Sequence, residues 1–389
     1  MNGIANAGHD RRESGTSDRG TAPAAYWPGA WALLALVVLA ACGDSSRPRV
    51  ADPLAPGPHP VGVTSVTLHD DTRDRSLLTE VWYPAAESVR GLPPSPITDF
   101  VPPSFAPLLA GSTVPLVAVR DAPLASGGPF PLVAFSHGNG GVRWQNTFQV
   151  ERLASHGFVV VAPDHTGNTL FDLGQDPHTQ QNRPLDIQFL YDQFTGFAAE
   201  PGNRFEGWAD AGKKFGMTGH SLGAFTSLTV ASNDIRVGAA LPMAAPGPVS
   251  RSYSAPTFLM LATEDKTIGL QLNEAIRSVY QVLPGARFLT EVIDAGHYSF
   301  TIACLTGSGL GDGDGCGDGT RYADGSRFVF TPAEMVWELV DGSSVALFGR
   351  YLNGVEAYEE TLVTPVSPTI ERLTADPTHG QMLLVAATR

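Results

Sequence analysis

Between Lys214 and Ala224 the chain reads Lys214-Phe215-Gly216-Met217-Thr218-Gly219-His220-Ser221-Leu222-Gly223-Ala224. A short apolar run enters the pentapeptide Gly219-His220-Ser221-Leu222-Gly223, and an Ala-, Leu- and Thr-rich run to Ala231 leaves it. Strand, tight turn and helix in that order make a G-x-S-x-G pattern a nucleophile elbow. Ser221 at the tip must take strained backbone angles, while Gly219 and Gly223 keep Cβ atoms out of the bend. The helix starting there aims its free N–H groups and positive dipole end at any oxyanion formed beside the serine. His220 flanks the nucleophile and is expected to shape the turn rather than to act as a base.

The flanking segments supply the rest of an α/β architecture. Residues 131–136 form a continuous apolar strand, 145–156 have helical spacing and stop at Gly157, and 158–163 are a second apolar strand. That β-α-β succession predicts a mostly parallel central sheet with helices on both faces. Further strands are expected at 237–241, 257–262 and 287–293, and helices at 184–197, with Pro184 in the first turn, and 270–282. Earlier, 61–68 and 76–83 read as an antiparallel hairpin turning at Asp70-Asp71. Residues 84–129 are expected as proline-dotted loop with short helical pieces, and 166–183 as a polar loop over the site. Thr331-Pro332-Ala333-Glu334 reads as a capping box opening a helix to about Leu352. Beyond Glu360 only 382–385 stands out, as an edge-strand candidate.

A serine hydroxyl needs a base within hydrogen-bond reach, and the base needs an orienting carboxylate. In a doubly wound sheet such groups sit on loops at the carboxyl ends of strands. After Ser221, one strand exit gives Thr263-Glu264-Asp265 and the last gives Asp294-Ala295-Gly296-His297. The exit after Leu241 offers no acid. His297 is therefore the expected base, His165 a weaker candidate, and Asp294 a turn residue; the acid is Asp265 or Glu264.

The N-terminus points to export. The apolar run 31–41 is too short to span a bilayer and has the length of a signal-peptide core. It ends in Leu39-Ala40-Ala41-Cys42-Gly43, which resembles the lipobox of bacterial lipoproteins and implies cleavage before Cys42 and lipidation of its thiol. Residues 1–41 are thus expected as signal peptide, 42–60 as a Pro-rich tether, 61–358 as the catalytic domain and 359–389 as a C-terminal extension. With Cys42 lipidated in the cell envelope, Cys304 and Cys316 remain as an even pair for a disulfide, since the chain has three cysteines. The formal charge is −14 and no Lys/Arg cluster occurs, which argues against nucleic acid as a partner. Asp312, Asp314 and Asp318 lack the following bidentate Glu of an EF-hand loop, so no metal and no cofactor are expected.

Five stretches together resemble one family: Gly219–Gly223, Phe135-Ser136-His137-Gly138-Asn139-Gly140-Gly141, Ala162-Pro163-Asp164-His165, Arg183-Pro184-Leu185-Asp186 and Ala295-Gly296-His297-Tyr298-Ser299-Phe300. They look like the platelet-activating factor acetylhydrolase and dienelactone hydrolase-like branch of the α/β-hydrolases, over roughly residues 60–355. Val81-Trp82-Tyr83-Pro84 resembles the same branch, and Leu153-Ala154-Ser155-His156-Gly157-Phe158 resembles bacterial polyester hydrolases related to cutinase. True dienelactone hydrolases use cysteine, so lactone specificity does not transfer. The resemblance implies chain order Ser, Asp, His and selects Asp265 over Glu264. It also implies that His137-Gly138-Asn139 carries an oxyanion donor, giving the backbone N–H groups of Asn139 and Leu222 as the pair. The expected protein is an exported, lipid-anchored serine esterase acting on an ester substrate. The rival expectation is a non-catalytic envelope lipoprotein that keeps the fold.

Overall fold

The computed structural model describes residues 50–379. The expected signal segment, Cys42 and the 382–385 strand candidate lie outside the described residues. In chain order the strands are β1 Val61–Asp70, β2 Arg75–Pro84, β3 Val119–Arg120, β4 Leu132–Ser136, β5 Val159–Pro163, β6 Phe215–His220, β7 Val237–Met243, β8 Thr257–Ala262, β9 Arg287–Val292, β10 Asp318–Thr320, β11 Arg327–Val329 and β12 Glu371–Asp376. The helices are α1 Thr147–Ser155, α2 Thr179–Ala199, α3 Leu222–Asn233, α4 Gly269–Val282, α5 Ala333–Leu352 and α6 Glu359–Val363.

Ten strands form one sheet in the order β12-β9-β8-β7-β6-β4-β5-β2-β1-β3, and β10 and β11 pair separately. The central run from β9 to β5 is parallel, whereas β12 with β9, β2 with β5 and β1 with β2 pair antiparallel, and β3 lies parallel to β1. The central strands are apolar throughout because both faces are covered. Their period-2 alternation divides them between two cores: Val133, Phe135, Val160 and Ala162 pack with α1 and α5, and Leu132, Ala134, Val159 and Val161 with α2, α3 and α4. The topology places the exits of β4, β6, β8 and β9 at one end of the sheet, which is where the predicted site residues lie.

Four expectations change. The part of the expected tether that is described lies on the domain: Gly57 and His59 N–H groups bond to Ser155, and a Cβ on Gly57 would meet the Ser155 carbonyl at 2.1 Å. Helix α2 begins five residues before Pro184, because the Asp176 side chain takes the His178 N–H at 2.8 Å and the Asn182 amide at 3.0 Å, and so opens the helix early. No capping box forms at Thr331: the residue before α5 is Pro332, and the Thr331 hydroxyl instead donates to the Ile293 carbonyl at 2.8 Å, tying down the exit of β9. Past residue 358 the chain returns to the same sheet, where β12 pairs along the whole of β9. The 84–129 segment does contain short helical turns, at Glu87–Val89, Ile97–Phe100 and Ala106–Leu109.

Candidate active site

Strand β6 ends at His220 and α3 starts at Leu222, so the whole turn is Ser221, with φ 57° and ψ −122°. A non-glycine residue holds such angles only when its surroundings over-determine them. The Ser221 N–H is fixed by the Met243 carbonyl at 2.8 Å. A Cβ on Gly223 would sit 1.8 Å from the Ser136 carbonyl and one on Gly219 would sit 2.5 Å from the Gly223 carbonyl, so both glycines are required by contact. Loop 137–141, leaving β4, lies beside the serine: a Cβ on Gly138 would be 3.5 Å from that of Ser221.

His297 starts the turn after β9 and is 3 % exposed; Asp265 follows β8 and is fully buried. Their side chains meet at 2.7 Å, His297 Nδ1 to Asp265 Oδ2, and the other Asp265 oxygen takes the Ile268 N–H at 2.9 Å. Glu264 is engaged elsewhere, by Lys266 Nζ at 3.1 Å and the Tyr322 N–H at 2.8 Å. Asp294, with φ 53°, is a turn residue paired to Arg321. Ser221, His297 and Asn139 line one cavity of about 370 Å³. The Ser221 hydroxyl and His297 are not hydrogen-bonded here; such contacts tighten when substrate binds. Among the described residues the N–H groups of Asn139 and Leu222 have no internal acceptor, whereas that of Gly138 is taken by Gln145 Oε1 at 3.0 Å. Two free donors thus flank the serine, and the buried Asp–His pair can receive its proton.

Two further histidines of the motifs, His220 and His137, are tied up in hydrogen bonds to the backbone. His220 accepts from the Gln145 amide at Nδ1, so its Nε2 carries the hydrogen and donates to the His297 carbonyl at 2.9 Å. Burial, helped by neighbouring His297, pushes its pKa well below the usual imidazole value. His137 Nδ1 bonds the Gly138 carbonyl at 2.7 Å and its Nε2 accepts the His165 N–H.

His165, the weaker base candidate, belongs to a second Ser–His–Asp arrangement. Ser136 Oγ lies 3.0 Å from His165 Nε2, and His165 Nδ1 lies 2.9 Å from Asp186 Oδ2. All three side chains are sealed from solvent. Burial, with the Arg183 guanidinium nearby, pushes the His165 pKa down to about 4. Burial would raise Asp186, but the His165 hydrogen bond and Arg75 hold it down at about 2. Arg183 completes the cluster, reaching Ser136 Oγ at 3.1 Å, Asn168 Oδ1 at 2.9 Å and the His137 carbonyl. Asn168 in turn donates to Asn139 Oδ1 at 2.8 Å. This buried constellation has no access for substrate; it is the scaffold beneath the 137–141 loop. Gln145 and Asn168 gave no sequence signal, because their roles exist only where separate loops meet.

The cavity wall is apolar and aromatic: Phe105, Leu109, Trp144, Phe171, Tyr298 and Ile302. Phe105, from the 84–129 segment, meets Phe171, from the 166–183 loop, edge to face at 4.7 Å, and both line the cavity that Ser221 lines. Leu108, Leu170 and Leu310 stand at the mouth more than half exposed. Leu310 belongs to the loop closed by the Cys304–Cys316 disulfide, with Cα atoms 5.4 Å apart. Among the described residues no group of three His, Cys, Asp or Glu side chains is placed to hold a metal.

Known proteins resemble this chain in three ways. Residues 46–172 match the family described as platelet-activating factor acetylhydrolase, isoform II, and residues 122–310 match the PET hydrolase-like family. A cutinase of Thermobifida alba, est2, is 27% identical over 175 residues, 44% of this chain and 53% of the cutinase. The match thus spans about half the length of that relative. A ferulic acid esterase from Streptomyces cinnamoneus superposes with a TM-score of 0.62 at 23% identity, over 85% of this chain and 98% of the esterase. With the mostly parallel sheet, the elbow after β6 and the strand-exit loops in this order, the chain belongs to the α/β-hydrolase superfamily.

Proposed function

We propose that the protein is a carboxylic-ester hydrolase working through an acyl-enzyme on Ser221. The observation that carries this reading is the 2.7 Å pair of His297 and Asp265 opening into the cavity that Ser221 lines. His297 Nε2 takes the Ser221 proton as Oγ attacks the ester carbonyl, and Asp265 stabilises the imidazolium that forms. The N–H groups of Asn139 and Leu222 hold the oxyanion. His297 then protonates the leaving alcohol, and water, activated by the same imidazole, releases the acid. The similarity to a cutinase and to a ferulic acid esterase supports ester over amide bonds.

The test is turnover of p-nitrophenyl acetate together with labelling by a fluorophosphonate. Wild-type protein is expected to be labelled and Ser221→Ala to lose both labelling and turnover while keeping its circular dichroism. Labelling at another serine would overturn the assignment.

A second substrate reading, polyester chains, is favoured by the PET hydrolase-like match and the exposed leucines at the cavity mouth. A panel running from acetyl to long-chain esters, phospholipid and polyester film separates the two. We further propose export to the bacterial cell envelope with a lipid anchor on Cys42, supported by the lipobox-like sequence and by the disulfide, which belongs to oxidising compartments. Cys42→Ala is expected to free the protein from the membrane fraction, and an unchanged fraction would remove the anchor.

A further inference from the structure

Beyond the Ser221, His297 and Asp265 set, one carboxylate touches the loops of both the acid and the base. Asp314 stands at the tip of a tight turn in the 304–316 loop. Its own N–H and that of Cys316 both bond to the Gly311 carbonyl at 3.0 Å, and the Gly313 N–H bonds to the Cys316 carbonyl at 3.2 Å. The disulfide from Cys316 to Cys304 closes the loop against the chain that leaves the His297 turn.

The Asp314 side chain is directed inward and the residue is only 9 % exposed. Oδ1 accepts the N–H of Lys266, next to Asp265, and the N–H of His297 itself, both at 2.9 Å. Oδ2 accepts the Thr267 hydroxyl at 2.7 Å. The Asp314 carbonyl accepts the Tyr298 N–H at 2.9 Å. Backbone contact makes the seat close-fitting. A Cβ on Gly296 would lie 2.3 Å from the Asp314 carbonyl carbon, and one on Gly315, at φ 132°, would lie 2.5 Å from the Ser299 nitrogen. Glycine on both sides lets the loop reach the base turn.

A carboxylate that gathers two backbone N–H groups and a hydroxyl makes charge-assisted bonds, stronger than neutral ones. Here the bonds add to a junction of two segments that also meet through the Glu264 N–H and Ala295 carbonyl at 2.9 Å and the His297–Asp265 contact, and they are the ones that grip the His297 N–H itself. A shift of either segment by about 1 Å would misplace the imidazole from the serine, at a cost of up to about 100-fold in rate.

We propose that Asp314 is a positioning residue that locks the Asp265 loop to the His297 turn, and that the Cys304–Cys316 disulfide serves to hold it there. The proposal rests on the esterase reading for its kinetic consequence and on the hydrogen bonds of Asp314 alone for its structural one. Asp314→Ala is expected to lower kcat on p-nitrophenyl acetate roughly 10- to 100-fold with KM little changed. Asp314→Asn is expected to recover most of that loss, since the amide oxygen keeps both backbone N–H groups and the Thr267 hydroxyl turns to accept. In a Cys304→Ser/Cys316→Ser background, Asp314→Ala is expected to cost far less than in wild type, because the loop no longer presents the carboxylate. Unchanged kcat in Asp314→Ala, a loss confined to KM, or additive losses in the triple variant would overturn the proposal. Hydrogen exchange in the Ser221→Ala protein provides a readout free of activity. Adding Asp314→Ala should speed exchange in both 264–268 and 296–300, and protection unchanged in either segment would overturn the lock. Wild-type protein without turnover would sink the esterase reading, and the exchange measurement would still decide the role of Asp314.

Discussion

The imidazole of His220 donates its Nε2–H to the main-chain carbonyl of His297, 2.9 Å away, with ring centroids 4.5 Å apart. The residue before Ser221 therefore holds the backbone of His297. The Gln145 amide fixes the tautomer from the far side, and the same side chain takes the Gly138 N–H. Elbow, base turn and 137–141 loop are joined through these two side chains.

Replacing His220 by Phe keeps a ring in the site and removes the donor. The expected outcome is a fall in kcat of about tenfold with KM little changed, because the imidazole of His297 loses its registration. Steady-state kinetics on p-nitrophenyl acetate check it. An unaltered kcat would mean that the His297 turn is held without this bond.

Only one of the adjacent acids faces the imidazole. Asp265→Asn is expected to lower kcat on the order of 10³- to 10⁴-fold, since the amide cannot stabilise the imidazolium and favours the wrong tautomer. Glu264→Gln touches only Lys266 and the Tyr322 N–H and should leave most of the activity. Equal losses in the two variants would reassign the acid.

Arg183 carries the scaffold beneath the 137–141 loop. Burial pulls its pKa down to about 9, so it remains cationic at neutral pH. Arg183→Met should leave the His137 carbonyl and Asn168 Oδ1 without that partner, each unsatisfied group costing about 1–3 kcal/mol, while Ser136 Oγ keeps His165. Urea unfolding is expected to show a loss of at least about 2 kcal/mol. Stability within error of wild type would show that the cluster relaxes around the gap.

Glu151 gives the stability a pH dependence away from the site. It is 4 % exposed, and burial pushes its pKa up to about 8, even though the Ala118 and Val117 N–H groups favour the charged form. Burial likewise raises neighbouring Asp341, against the pull of Arg152. With the folded pKa above the unfolded one, the contribution is intact below about pH 4.5 and is lost as pH rises through about 8. Unfolding free energy should therefore decline by a few kcal/mol from about pH 5 to about pH 8 through this group, and Glu151→Gln should flatten that part of the slope. Equal slopes in urea titrations of the two proteins would place the titration elsewhere.

The elbow, the parallel strands and the Asp265 and His297 exits were legible in the chain because each is written locally. A strand buried on both faces needs an unbroken apolar run, and the Ser221 turn needs glycine at 219 and 223 against the Ser136 and Gly223 carbonyls. The pairing of Cys304 with Cys316 was open to simple counting. What joins distant segments was not legible. Strand β12 reads Glu371-Arg372-Leu373-Thr374-Ala375-Asp376, too polar to announce itself, and is a strand only because β9 offers an open edge. The Thr331 hydroxyl, free by sequence to cap α5, found a stronger claim in the Ile293 carbonyl. Gln145, Asn168, Arg183 and Asp314 take their roles from partners 29 to 75 positions away in three cases and from two different loops in the fourth. Local propensity and periodicity determined which segments become strands, helices and the turns that carry Ser221, Asp265 and His297. Which polar side chains hold those turns in register was decided only by tertiary structure, because a buried donor or acceptor takes whatever partner the packed fold brings within reach.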